Sequence, residues 1–587
     1  MTKLAIILNG GEPRWRESRL GCIFDFFRVP WKVADVLKPH ELGDGGSEYA
    51  VFGSIRNVAA ALKQNSRGNP PAAYYAYVDD KLALCNSALQ SLFGDTSLSL
   101  QPAPPGELTL QVSGDLPDLA GPMAGLKCSL RLRSEDAVLG SVRVAGAPEF
   151  ATLVSAADSP VFLRFQHNGV PIYLCTSSDM VDIDQPVRRG FYDVKDHFCS
   201  AVPLVMFIKF MFQEIAWQAQ ELGACLIIDD PLLKPKYGFC DFPKLRSLMQ
   251  RYEFTTNIAF IPWNWRRTSP AAAKFFNDES RLFSVSIHGC DHTAGEFAST
   301  STEGLNAKTQ LARSRMRKHE MRTGIRHDPV MVFPQGAFSS VCPEVLKRNG
   351  FLAAVNTELI PMDSQNSRTR IRDVWDVAIL AYDNFPIFTR RYSFHGLENF
   401  AFDLLLGKPC LIVAHHDFFK DDGLALINLI EKLGSLNCRL RWRSLGQVIR
   451  RACRRRANGA GKLELEMYGN ELLVGNPSDQ PVDLTIRKRR SHDEIASEIL
   501  CDEKSLAWTT EGESFIFDET LEPHGEKCFR VVLPEQTDTG KQRRPLRFEL
   551  AVATRRILSE LRDDYLSTSR ILSVPAEKFK NVFKKAL

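Results

Sequence analysis

Cys225-Leu226-Ile227-Ile228-Asp229-Asp230-Pro231 joins a continuous apolar run directly to two adjacent carboxylates. Such a run suits a parallel strand buried on both faces. Two carboxylates cannot carry that strand on into a core, because removing unpaired charge from water is costly, so they belong at its mouth. The pattern recurs twice. Leu282-Phe-Ser-Val-Ser-Ile287 leads into His288-Gly-Cys-Asp-His292, and Val413-Ala414 leads into His415-His416-Asp417. Three strand ends carrying metal-binding or proton-transferring groups describe the rim of an α/β barrel, whose site gathers at the carboxyl ends of its strands.

His288 and His292 stand four residues apart with Gly289 between them, and a helical turn there places both imidazoles on one side. Together with the carboxylate of Asp230 they form a three-ligand set that leaves a coordination position open for water, as catalytic zinc sites do. Each piece alone has a plainer reading: an Asp-Asp pair caps helices, paired histidines sit on surfaces, and a His-His-Asp run forms hydrogen-bonded clusters. Their joint occurrence at successive strand ends favours a hydrolytic metal site.

Taken in order, Asp229-Asp230, His288-x-x-x-His292, Phe333-Pro334-Gln335-Gly336 and His415-His416-Asp417 resemble the motifs of the polysaccharide deacetylases, carbohydrate esterase family four, over roughly residues 222 to 455. The resemblance implies a distorted (β/α) barrel that removes an N- or O-linked acetyl group from a sugar or polysaccharide. It implies one divalent metal, usually zinc, on Asp230, His288 and His292, with Asp229 as general base. The general acid would be His415 or His416, and His416 is favoured because the family's acid directly precedes its Asp. Strand alternation sends these neighbours to opposite sides, so one of them faces the cleft. The backbone N–H of Gln335, after Pro334, would help bind the oxyanion.

Some positions depart from the family. Where it carries Arg two residues before the motif Pro, this chain has Val332, so a brace for Asp229 must come from Arg326 or another cation. Pro231 and Gly289 also replace the usual Gly and Ser or Thr, while Asp373-Val-Trp375-Asp376 lies where a fourth motif is expected. The missing arginine sustains an alternative, a barrel that has lost catalysis and binds glycan or assembly partners during surface-polysaccharide production. Trp263 and Trp265 follow the strand between the first two motifs and could stack on sugar rings or pack the rim.

A chain of 587 residues is too long for one core. Residues 1–195 alternate short strands with helical stretches and contain the hairpin signal His167-Asn168-Gly169, which reads as a doubly wound, amidotransferase-like accessory domain. Phe198 to Phe212 is expected as a buried helix leading into the barrel, residues 196–457. The basic run Arg450 to Arg456 is expected to end the last barrel helix, where cations complement the macrodipole. Residues 462–535 alternate as a β-sandwich does, and 545–587 form a basic amphipathic helical tail with Lys578, Lys580, Lys584 and Lys585. That tail could touch an anionic membrane surface or pack on its own protein.

A net charge of +4 on so large a chain gives no support for nucleic acid, and no phosphate-binding glycine loop is present. Fourteen cysteines without CxxC pairs read as reduced thiols. The first ten residues are too short in apolar length for a signal-peptide core, so a cytoplasmic location is expected.

Overall fold

The computed structural model describes residues 3–10, 14–36, 48–64, 70–93, 98–141, 150–458, 461–491, 494–534 and 544–566. Its centre is an all-parallel sheet in which Leu222–Asp229 lies between Thr256–Phe260 and Cys410–Ala414. From Thr256–Phe260 the sheet continues through Phe283–His288, Val330–Val332 and Ala353–Asn356. Ile387–Thr389 then pairs with Ala353–Asn356, and Arg391–Tyr392 pairs with Cys410–Ala414. One short stretch of chain, residues 387–392, therefore closes the sheet into a barrel.

Side-chain parity divides this barrel into an inside and an outside. Leu226, Ile228, Val285, Ile287 and Ile412 point outward to the surrounding helices, where Leu245, Met249, Phe276, Met316 and Leu346 join the same core. Cys225, Ile227, Ala259, Val330, Val332, Val355, Phe388 and Leu411 fill the interior as a separate cluster. Leu445, Val448 and Ile449 plug its amino-terminal end, with Val448 pressed on Gly223. Only the carboxyl-terminal mouth is left for chemistry. The outer helices start where the sequence supplies caps: Asp241, Ser269 and Ser301 each accept a backbone N–H from the first turn of their helix.

The amino-terminal sheet is mixed. Five parallel strands, in the order Trp31–Asp35, Leu4–Asn9, Tyr49–Ser54, Ala73–Tyr77 and Val170–Cys175, continue into antiparallel Ser159–His167, Phe150–Ala156, Glu107–Val112 and Lys127–Arg131. The expected hairpin turns on Asn168 and Gly169, both at positive φ. Ile6, Leu8 and Val51 face helices Ile55–Gln64 and Leu82–Phe93, whereas Ile7, Phe52 and Tyr75 face Arg14–Phe27. Helix Phe198–Met211 is buried along most of its length and carries this second face into the barrel core, with Phe207 packed on Phe52 and Tyr75.

The carboxyl-terminal strands form two packed sheets around Leu465, Ile486, Ile499, Phe517 and Phe529. Arg450 and Arg451 do close the last turn of a helix, Leu445–Arg451, as expected, but the rest of the basic run does not belong to it. Cys453–Ala457 is a strand paired with Leu463–Met467. Alternation with acidic neighbours explains the difference: Arg456 pairs with Glu464, and buried Arg454 pairs with Asp376. Helix Leu546–Leu561, extended by Arg562–Leu566, packs back on the barrel; the four tail lysines lie outside the described residues. All fourteen cysteines are free thiols. No helix among the described residues is long and apolar enough to cross a membrane.

Candidate metal and acyl-hydrolysis site

Strand Leu222–Asp229 ends with Asp229 pointing inward, in register with Cys225 and Ile227. Asp230 then turns the backbone to a φ of 79°, and its Oδ1 meets His292 Nε2 at 3.0 Å and His288 Nε2 at 3.4 Å. His288 closes strand Phe283–His288, and the carbonyl of Val332 accepts from its Nδ1 at 2.9 Å. That bond places the ring proton on Nδ1 and leaves the Nε2 lone pair for the site.

The two imidazoles are not brought together by a helical turn. Residues 289–292 form a tight loop in which Gly289 and His292 have positive φ, and a Cβ on Gly289 would collide with Pro334. The buried carboxylate of Glu296 organises this loop by accepting the backbone N–H groups of Cys290, Asp291 and His292 at 2.8–3.0 Å. A side chain four residues past the second histidine thus sets the histidine geometry. Glu296→Ala is expected to weaken zinc binding by about 10–100-fold, measured by competition with a chromogenic chelator, without removing any ligand. Equal zinc affinity would deny Glu296 that role. Asp291, also buried, pairs with Arg315 and Arg544, so the neighbouring Cys290, Asp291 and Glu296 are engaged structurally.

Arg390 was not singled out by the sequence. Its guanidinium holds Asp229 in a two-point pair, Nη1 to Oδ1 at 2.6 Å and Nη2 to Oδ2 at 2.7 Å, with both residues almost fully buried. Burial opposes ionisation of Asp229, but Arg390 and His288 outweigh it and keep the carboxyl below its ordinary range. Burial likewise opposes ionisation of Asp230, and the two histidines hold it well below that range. The brace absent at Val332 is therefore supplied from the strand that closes the barrel. Arg326 is exposed and remote from this role. The one legible signal was Ile387-Phe-Thr-Arg390-Arg391, a short apolar strand ending in arginines that burial obliges to find carboxylates. Arg391 finds Asp403.

His415 continues strand Cys410–Ala414 in extended conformation, so parity turns it inward with Leu411 while His416 turns outward. The ring of His415 stacks on Tyr392 on the side of the strand that faces Asp229. His416 lies instead against Phe239 and faces the Asp563 carboxylate at 3.5 Å. Pro334 and Gln335 follow strand Val330–Val332; Gln335 has a φ of 58° and accepts the Gly295 N–H through its side chain. Asp230, His292 and Gln335 all occupy left-handed backbone, strain of the kind that collects at functional sites. Asp373 and Asp376 are engaged elsewhere, the first capping Arg370 and the second taking the Tyr468 hydroxyl. Trp263 and Trp265 are partly buried, with Arg267 beside the first ring and Arg266 and Lys318 beside the second. Phe394, 77% exposed and stacked on Tyr392, is the aromatic surface open beside the mouth.

No protein-family model matches the sequence, and no curated protein sequence matches it either. Among solved structures, the chain is similar to the chitin deacetylase of Colletotrichum lindemuthianum, with 16% identity, a TM-score of 0.26, and 39% of this chain covering 89% of that one. It is similar to a family 4 carbohydrate esterase from Streptomyces lividans at 13% identity and a TM-score of 0.23, with 36% of this chain covering 88% of that one. The β-galactosidase of Bacillus circulans sp. alkalophilus matches at 12% and 0.21, with 30% of this chain covering 28% of that one. Function has to be argued from the site's own side chains. In the order of its motifs and the make-up of its Asp-His-His cluster, this barrel is similar to the polysaccharide deacetylases.

Proposed function

We propose that the protein is a metal-dependent hydrolase that removes an acetyl group, N- or O-linked, from a sugar or glycan. The observation that carries this reading is the convergence of Asp230, His288 and His292 beside a separately braced Asp229. The donor set fits a divalent metal. One carboxylate oxygen and two imidazole nitrogens lie within 4.8 Å of one another, and Asp230 Oδ1 is buried without a hydrogen-bond partner. Two nitrogens and an oxygen suit zinc, with a position left open. A cation held there supplies Lewis-acid polarisation of an acyl carbonyl and acidifies water.

The chain's own residues do the rest. Asp229 is kept ionised by Arg390, so it can accept a proton from water at either carboxylate oxygen through the lone pair that Arg390 leaves free. The Gln335 backbone N–H is the proposed oxyanion donor. His415 is the proposed proton donor to the leaving amine or alcohol, in preference to His416, because it shares the barrel interior with Asp229. Phe394 and Tyr392 offer ring faces to a pyranose. The bidentate hold on Asp229 favours catalysis over a barrel that only binds glycan, since a lost site has no need of a braced base.

Elemental analysis of protein purified without chelator should find about one divalent transition metal per chain. Asp230→Ala and His288→Ala should lose it. Acetate release from an acetylated saccharide should fall further in His415→Ala than in His416→Ala. A wild-type protein that takes up no metal at saturating zinc would end this reading.

A further inference from the structure

Helix Leu546–Leu561 and its extension lie across the barrel mouth and are tied to four rim segments. Asp563 accepts from the Tyr237 hydroxyl at 2.7 Å and faces His416. Asp564 takes the Gly238 N–H and pairs with Lys234. Glu560 pairs with Lys234 and Arg267, and Arg544 reaches Asp291. Val552, Arg556 and Asp563 are the buried residues of this segment, and their spacing of four and seven puts them on one stripe. Since Asp563 is seated against Tyr237 and His416, that stripe is the one facing the mouth.

Arg556 sits in the middle of the stripe, 8% exposed, and among the described residues its only side-chain bond is a donation from Nη2 to Ser559 Oγ at 3.2 Å. Its buried Nε has no partner among the described residues. Among the described residues no carboxylate lies within ion-pair distance of Arg556 or of its half-buried neighbour Arg555. The acids that flank them on the same segment are already committed, Glu560 to Lys234 and Arg267, Asp563 to Arg562 and Tyr237. Arg555 nevertheless lies within charge reach of Glu296 and Asp230, and Arg556 within reach of Tyr237, whose hydroxyl Asp563 of the same stripe holds at the mouth. A guanidinium buried without an anion is costly, and a planar fork of donors is matched by a carboxylate or a phosphate.

We infer that Arg555 and Arg556 bind an oxyanion on the substrate, so that the saccharide handled here is anionic, with a carboxylate or phosphate near the acetyl-bearing position. The word substrate rests on the hydrolase reading; the anion site stands on the two arginines alone. A carboxyl-terminal segment outside the barrel would then select the substrate, and a neutral glycan would leave these charges buried and unpaired.

Calorimetric titration of the full chain, stripped of metal so that the metal ligands do not capture the probe, tests this with inorganic phosphate and with glucuronate. At least one should bind, and Arg556→Gln should weaken it by about tenfold or more, as expected for loss of a charge-assisted pair. Arg556→Lys, which keeps the charge but not the fork, should weaken it less, and Arg555→Gln gives an independent second variant. Binding of phosphate alone identifies a phosphorylated sugar, and of glucuronate alone an acidic one. Failure of both probes to bind, or equal affinity in wild type, Arg555→Gln and Arg556→Gln, overturns the proposal. Arginine-dependent anion binding in a protein that releases no acetate from any saccharide would sink the hydrolase reading and uphold this site.

Discussion

Asp229→Asn is expected to retain its metal and lose about 10²–10⁴-fold in turnover, the usual worth of a positioned general base. The amide has nearly the shape of the carboxylate and its oxygen still accepts one Arg390 N–H, the second bond and the charge pair being lost, and Asp229 is not one of the three ligands. What disappears is the capacity to accept a proton. Zinc content and acetate release measured on the same preparation separate this from structural damage. Asp230→Ala should lose both together, whereas Asp229→Asn should lose only the second. If Asp229→Asn turns over at the wild-type rate, another group takes the proton and the assignment is wrong.

Arg390→Ala carries the largest expected cost to stability, about 3–5 kcal/mol at neutral pH, because it leaves a buried carboxylate without its partner. Asp229 is 4% exposed, so water does little to repair the loss. The sign of the pH dependence follows from the direction of its shift. Arg390 helps hold the folded carboxyl below its ordinary range, so the stabilisation is present above the unfolded pKa of about 4 and is lost as pH falls through the lower folded value. The gap between wild type and Arg390→Ala in urea unfolding should therefore be widest near pH 7 and should narrow on acidification. Arg390→Lys restores the charge without the fork and should recover part of it. Equal unfolding midpoints at pH 7 would mean that the pair contributes nothing net.

The strand ends were readable because each couples two local signals, an apolar β-forming run and a polar group that cannot enter a core. That is why Asp230, His288 and His292 could be named together before any fold was known, although they are brought into contact by pairing of Leu222–Asp229 with Thr256–Phe260 and of that strand with Phe283–His288. The histidine pair nonetheless converges by a different route from the one its spacing suggests. Spacing of four suggested a helical turn, whereas Glu296 wraps the loop through three backbone N–H groups, a bond pattern that leaves no periodicity to read. The basic run ends its helix only through Arg450 and Arg451; Arg454 and Arg456 lie on a strand because their partners Asp376 and Glu464 come from other strands and loops.

Sequence by itself marked four of the barrel strands and the three candidate ligands, because these depend on local apolar patterning and on side-chain chemistry that a few neighbouring residues display, while the candidate base and the histidine pair offered for the acid came from the family resemblance. Only the tertiary structure decided that Arg390 braces Asp229 from the closing strand, that parity turns His415 rather than His416 toward it, and that a helix more than 300 residues beyond Asp230 lays Arg556 and Asp563 across the mouth. These depend on barrel closure and on the docking of a distant segment. Buried charge must find its counter-charge wherever the chain brings one within reach, and no local pattern records where that is.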